Sequence, residues 1–345
     1  MSVFDKLVKS AENEYATKVI DGIPAGDVDT YIDTGSYAFN ALLSGSIHGG
    51  IPNNKITAIA GEEATGKTFF TLGIVKSFLD ENKDAGVFYF ESEGALTKDL
   101  LEQRNVDTNR VWILPVTTIQ EFRQQALRML NEYNEDSEKP PCMMVLDSLG
   151  NLSTTKEIED MTEGKETRDM TRTQLIRGTF RALSLKLSKA KIPFILTNHT
   201  YQVIGSYIPT RDMSGGGGVK YAASQIVMLS KKKDRDGKEV IGNIIHCDLT
   251  KSRLTRENQR VDVRLHYDTG LNRYYGLVPI AEKYEIFKKV STRFELPDGS
   301  KVFEKTLNND PEKYFTDEIM EKIDEACKKE FLYGQKGDVE EEMVA

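Results

Sequence analysis

Apolar positions change their period near residue 34. Before it, Phe4, Leu7, Val8, Ala11, Tyr15 and Val19 recur at steps of three and four, which predicts an amphipathic helix over residues 2–19. The polar stretch "DGIPAGDVD" separates this helix from the rest, leaving it free to fold back on its own domain or to dock on a neighbour. Beyond Thr34 short apolar runs alternate with longer amphipathic ones. "NKITAIA", "GVFYFE", "RVWILPV", "PCMMVLDS" and "IPFILTNH" read as strands, and "FFTLGIVKSFLDEN", "IQEFRQQALRMLNEY" and "LIRGTFRALSLKLSKAK" as helices among them. That alternation predicts an α/β fold with a doubly wound, mostly parallel sheet. "SQIVMLSKKK", "NIIHCDLTKSR" and "QRVDVRLHYD" follow with no helix between them, and Asp236-Gly237 is a hairpin signal, so antiparallel strands are expected to close the sheet. The division that follows is an N-terminal helix and linker (1–30), a core (31–275) and a small charged, helical C-terminal region (276–345). The last of these ends in the acidic tail "GDVEEEMVA", whose composition predicts disorder.

Composition narrows the classes. The 345 residues are 39% apolar and 9% aromatic, enough for a sizeable core. A net charge of -8, from 54 acids against 46 bases, means that attraction to nucleic acid must come from a local basic stripe. The cysteines Cys142, Cys247 and Cys327 have no CxxC or Cys/His spacing, so neither a disulfide nor zinc is expected, in keeping with a reducing compartment. Charges throughout the first nineteen residues exclude a signal peptide, and no run approaches the roughly 18 apolar residues of a membrane span. A cytoplasmic protein without membrane contact is the expectation.

The most specific motif is "GEEATGKT", formed by Gly61, Glu62, Glu63, Ala64, Thr65, Gly66, Lys67 and Thr68. It matches G-x-x-x-x-G-K-[ST], follows a predicted strand and opens a helix at Phe69. Glycines let backbone amides converge on phosphates at a helix N-terminus, Lys67 reaches the terminal phosphates, and Thr68 offers its hydroxyl to Mg²⁺. A nucleoside triphosphate is the predicted ligand. "CMMVLDS" is an apolar strand ending in Asp147, suited to the Mg²⁺ shell. Glu91 and Glu93 lie just beyond another strand end, where open α/β sheets bind ligands. Either could orient the attacking water. Asn198 and His199 end a further strand.

Charge patterning adds a second theme. "TKSRLTRENQR" carries Lys251, Arg253, Arg256 and Arg260, either a solvated face or a source of cations for a neighbouring subunit's phosphates. A helix over 170–191 buries Ile176, Phe180, Leu183 and Leu187 and exposes Arg172, Arg177, Arg181 and Lys189. It is flanked by the polar loops "EIEDMTEGKETR" and "TYQVIGSYIPTRDMSGGGGVK", together a candidate nucleic-acid surface. The four glycines Gly215, Gly216, Gly217 and Gly218 lack the Lys-Ser/Thr of a phosphate loop and interrupt one sheet, so they read as a mobile loop and not as a linker.

The order of these motifs resembles the RecA-type strand-exchange recombinases, and most the T-even phage UvsX branch. The stretches that carry the likeness are "IDTGSYAFNALLSG", "GEEATGKT", "FYFESEGALT", "VLDSLGNLSTTKE", "DMTR", "ILTNHTY", "SGGGGVKYAAS" and "LTKSR", across residues 31–275. The resemblance implies a RecA-like ATPase core that binds ATP and Mg²⁺, with Glu93 activating the water and His199 sensing the γ-phosphate. Lys251 and Arg253 would reach the ATP of the adjacent protomer. It implies DNA-binding loops near 157–168 and 200–218, giving DNA contacts to Arg168, Arg172, Arg177, Arg181, Tyr201, Arg211, Gly215 to Gly218 and Lys220. It also implies a filament on single-stranded DNA built through the N-terminal helix, exchange with duplex DNA, and a recombination mediator and single-strand binding protein as partners. One position departs from the family: a tyrosine that stacks on adenine is replaced by Leu100. Two other readings use the same motifs, a hexameric helicase and a nucleotide-switched regulatory module.

Overall fold

The computed structural model describes residues 2–13, 15–165, 169–202, 211–213 and 217–334. The chain opens with α1 (Val3–Ser10), capped by reciprocal hydrogen bonds between Ser2 and Asp5. This helix ends at Ser10, not at Val19, because Glu12 takes a left-handed backbone (φ 49°) that an α-helix cannot continue through. A small ribbon of β1 (Tyr31–Ile32) and β2 (Ile51–Pro52) brackets α2 (Tyr37–Ser44).

The core then alternates as the apolar pattern predicts: β3 (Ile56–Gly61), α3 (Lys67–Glu81), β4 (Gly86–Glu91), α4 (Lys98–Gln103), β5 (Val111–Pro115), α5 (Ile119–Glu135) and β6 (Cys142–Asp147). After these come α6 (Thr155–Thr162), α7 (Arg172–Ala190), β7 (Phe194–Gln202), β8 (Arg211–Met213) and α8 (Gly217–Ala222). β9 (Gln225–Asp236), β10 (Glu239–Ser252), β11 (Gln259–His266) and β12 (Gly270–Leu271) complete the sheet. Its order is β12-β11-β10-β9-β3-β7-β6-β4-β5, with β8 paired to β7. β9 is still parallel to β3; the antiparallel closure begins between β9 and β10.

Both faces of the parallel strands are covered, which is why they read as unbroken apolar runs. Alternate residues nonetheless go to opposite sides. Tyr89, Met143, Val145 and Ile195 join the cluster under α2 and α3, while Phe90, Met144, Leu146 and Phe194 join the one under α5 and α7.

The region after Gly276 is more than a helical appendage. α9 (Leu277–Lys283) leads into a three-stranded sheet of β13 (Lys288–Val290), β14 (Arg293–Glu295) and β15 (Lys301–Phe303), then α10 (Glu304–Asn309), α11 (Pro311–Tyr314) and α12 (Asp317–Phe331). Strands of three residues are too short to show a period. Phe287, Phe294, Ile323 and Phe331 share one hydrophobic cluster with Phe39 and Leu42 of α2, and Asp324 accepts hydrogen bonds from Ser46 Oγ and the Ile47 amide. The acidic tail lies outside the described residues.

Both expected loops contain helix. α6 occupies the first part of "EIEDMTEGKETR", started by a Thr154–Glu157 capping box. Gly217 and Gly218 begin α8, and Gly218 is buried where α8 crosses α7. A Cβ on Gly218 would stand 2.8 Å from the Arg177 nitrogen and 3.0 Å from its Cα, so this glycine permits a close backbone approach. Gly178, one position further along α7, has open space at its Cβ. Gly218→Ala is therefore expected to cost about 1–3 kcal/mol in a denaturant titration, and Gly178→Ala to be neutral or stabilising by up to about 1 kcal/mol. Equal effects would show that the α7–α8 contact does not constrain Gly218.

Candidate nucleotide site and adjoining basic surface

The phosphate loop joins the buried strand β3 to α3. Gly61 has no room for a side chain: a Cβ would lie 2.5 Å from Thr65 Oγ1 and 3.0 Å from the Leu229 oxygen. Gly66 adopts the left-handed conformation (φ 94°) just before α3 begins at Lys67, turning the helix's free amides toward the loop. Lys67 Nζ donates to the carbonyls of Gly61 (3.1 Å) and Glu62 (2.9 Å). Burial draws its pKa below the ordinary lysine value against the opposing charges of Glu93, Asp147 and Glu63. From β9, Lys231 Nζ donates to the Ala64 carbonyl at 2.7 Å.

Asp147, at the end of β6 and 6% exposed, holds the hydroxyls of three elements. Thr68 Oγ1 donates to its Oδ2 at 2.9 Å and Tyr89 Oη to the same oxygen at 2.7 Å, while Thr197 Oγ1 donates to Oδ1. Burial, and then the charge of Asp147, push the Tyr89 phenol well above its ordinary pKa, so it stays a donor. Thr68 and Asp147 supply hard oxygens of the kind Mg²⁺ takes. The described residues contain no cluster of three or more His, Cys, Asp or Glu side chains able to hold a metal by themselves. The donor set thus fits an ion that is shared with phosphates and water.

The two glutamates divide their work. Glu91 is 9% exposed, and its carboxylate accepts the amides of Glu93 (3.0 Å), Gly94 (2.8 Å) and Ala95 (3.0 Å). It folds the turn that carries Glu93. Glu93 Oε1 accepts from Ser148 Oγ at 2.6 Å and meets His199 Nε2 at 3.0 Å. The Ser148 amide donates to Ser92 Oγ, and that hydroxyl donates to the Ser148 carbonyl, which ties the turn to the end of β6. Burial raises the Glu93 pKa, but Ser148, His199 and Lys67 outweigh it and hold the carboxyl below the usual glutamate range. His199 stands opposite Gly61 in the β3–β7 pairing, and a Cβ on Gly150 would lie 3.0 Å from its ring. Ser148, Tyr89, Thr197 and Lys231 were not singled out in the sequence; the signal for Tyr89 and Thr197 was a hydroxyl inside an otherwise apolar strand.

β7 runs on past His199 to Gln202 and pairs with β8 through Thr200–Met213, Tyr201–Asp212 and Gln202–Arg211. Of the expected DNA contacts, Arg177, Arg181, Tyr201 and Lys220 are exposed on this side. Lys220 is paired with Asp212 at 2.6 Å, and the Arg177 guanidinium lies over the exposed Tyr221 ring at 5.6 Å. Arg172 is not free: it is half-buried, and its guanidinium donates to the carbonyls of Gly150 and Leu152, bracing the loop after β6. Lys189 is half-buried too, over the Tyr15 ring at 3.9 Å. Arg168, Gly215 and Gly216 and the Arg211 side chain lie outside the described residues.

Lys251 and Arg253 meet at the C-terminus of α8. Lys251 Nζ donates to the carbonyls of Ala223 (2.8 Å) and Lys220, and Arg253 to that of Tyr221 (2.9 Å), where cations complement a helix end. Arg260 instead forms a two-pronged pair with Asp248.

A phosphate loop between the central strand and its helix, with an acid at the end of β6, one strand beyond the adjacent β7, defines the P-loop nucleotide-binding class of α/β proteins. The chain belongs to the RecA family: the family model for the RecA N-terminal domain matches residues 5–272. It is 31% identical over 242 residues to the recombination and repair protein of Enterobacteria phage T4, which covers 70% of this chain and 61% of that protein. It is 24% identical to protein RecA of Clavibacter michiganensis over 85% of this chain and 78% of the relative. To protein RecA of Thermotoga sp. RQ2 it is 27% identical, over 81% and 76%.

The Ser148–Glu93 contact has a pH signature. Because the Glu93 pKa is depressed when folded, its stabilising contribution is full above the ordinary value of 4.5 and is lost as pH falls through the lower folded value. Ser148→Ala removes a bond that lowers this pKa, so the Glu93 carboxyl resonance should titrate at higher pH by NMR. An unchanged titration would remove Ser148 from the account.

Proposed function

We propose that this protein is a DNA-dependent ATPase and homologous recombinase that forms a filament on single-stranded DNA, pairs it with homologous duplex DNA and exchanges strands. The observation that carries the reading is the hydrogen bond from His199 to Glu93. It joins the carboxylate best placed to activate water to the strand that continues into the β7–β8 hairpin and the basic surface. The family membership supports the same class, with the T4 relative aligned over less than two thirds of its own length.

In this reading ATP lies on residues Gly61 to Phe69, with Lys67 reaching the terminal phosphates and α3 presenting its N-terminus. Bound Mg²⁺ would neutralise phosphate charge, with Thr68 and Asp147 as its protein ligands. Glu93 orients the water while Ser148 and His199 keep it ionised and aimed. Glu91 acts through the turn as a positioning residue. Lys251 and Arg253 serve the nucleotide of the adjacent protomer, from a place where they also hold the end of α8. DNA runs over Arg177, Arg181, Tyr201 and Lys220; the contacts expected of Arg168, Gly215, Gly216 and the Arg211 side chain fall outside the described residues.

The N-terminus supports assembly. Residues 25–29 are strapped to their own core by Asn54, Lys55 and Lys191. α1 buries no residue and leaves Val3, Phe4, Leu7 and Val8 exposed, an apolar face suited to a second copy. A recombination mediator and a single-strand binding protein complete the partners. No helix among the described residues is long and apolar enough to cross a membrane.

The test is the ATPase rate with and without single-stranded DNA, with negative-stain images of the same samples. Stimulation by DNA together with open filaments supports the proposal; closed rings would favour a helicase, and DNA-independent hydrolysis a nucleotide switch. Lys67→Ala should abolish hydrolysis and strand exchange. Glu93→Gln should retain ATP and slow turnover by about 10²–10⁴-fold, and an undiminished rate would remove Glu93 from the role.

A further inference from the structure

A cleft of about 630 Å³ runs beside α3, and Phe69, Arg104, Asn105, Thr269 and Gly270 are among the residues that line it. Phe69 directly follows Thr68, so the cleft adjoins the phosphate loop. The Arg104 guanidinium lies over the Phe69 ring, its carbon 4.2 Å from the centroid. The chain turns at Gly270 (φ 78°) beside the ring, where an added Cβ would be 3.8 Å from Phe69 Cζ; Asp268, Thr269 and Leu271 line the cleft with it. Leu100 stands four residues before Arg104 and therefore on the same side of the α4 turn. It packs instead against the hydrophobic cluster beneath and offers no flat surface to the cleft.

We propose that the Arg104 guanidinium, lying over the Phe69 ring, is the nucleobase platform of this chain, and that it selects purine nucleotides. The proposal rests on the assignment of residues 61–68 to the phosphates. A guanidinium is planar, delocalised and weakly hydrated, so it stacks on π-faces as an ammonium cannot. Stacking reads ring area more than ring edges, so adenine and guanine are both accepted and the smaller pyrimidines are disfavoured. Arg104 thereby supplies the flat contact that Leu100 cannot.

The experiment uses the full chain with single-stranded DNA and steady-state hydrolysis of ATP, GTP, CTP and UTP, with inorganic tripolyphosphate as a competitive inhibitor that has no base. Arg104→Ala should raise KM for ATP and GTP about tenfold, leave kcat within about twofold and narrow the gap to CTP and UTP. Inhibition by tripolyphosphate should not change. Phe69→Leu should show a smaller effect of the same kind, and Arg104→Lys should not restore KM. An unchanged KM in Arg104→Ala, or full rescue by lysine, would overturn the platform. If tripolyphosphate fails to compete in the unaltered protein, the phosphate assignment itself fails, and the platform with it.

Discussion

One buried carboxylate fixes the arrangement of the site. Asp147 would be costly in the sheet if left alone, and the chain answers with three hydroxyls drawn from α3, β4 and β7. Each donor belongs to a different element, so satisfying Asp147 sets the register of all of them. With Glu91 beside Asp147 in the β4–β6 pairing and Leu146 beside Leu196 in the β6–β7 pairing, the Glu93 turn and His199 are brought to the same end of the sheet. The Glu93–Ser148–His199 contact is a consequence of that register.

From there the connections lead outward. β7 carries His199 beside Glu93, then the exposed Tyr201 two residues later, and pairs with β8. α8 follows and is gripped at its C-terminal carbonyls by Lys251 and Arg253. A cation whose donors are engaged by a helix end can serve a neighbouring phosphate only by sharing or releasing that end. Whatever acceptor draws Lys251 and Arg253 away therefore also acts on α8 and on its close contact with α7.

The core and the phosphate loop were legible in the sequence because each has a strong local signal. Doubly covered strands leave unbroken apolar runs, as in "CMMVLDS", and the phosphate loop needs its glycines and lysine at fixed steps. What was not legible depends on partners far along the chain. Glu91 and Glu93 look alike until the three amides folded onto Glu91 separate them. Arg172 reads as a surface charge, and only the fold brings the Gly150 and Leu152 carbonyls beneath it. The helix expected to reach Val19 stops early because a backbone reversal at Glu12 has no signature in apolar spacing. β13 to β15 were missed for the simpler reason that three residues cannot display alternation.

In the glycine run, composition and packing give different reasons for a missing side chain. Four glycines in succession suggest freedom of the backbone, yet what makes Gly218 necessary is the Arg177 backbone against it. Gly61 against Leu229 and Gly150 against His199 follow the same rule: a missing side chain lets two elements approach within contact distance. These close approaches lie at the ends of the strands that form the site, or on the helix that Lys251 and Arg253 hold. Their effect is to stiffen the frame around the nucleotide site. His199 belongs to this frame, and its strand leads out of it to the pairing with β8.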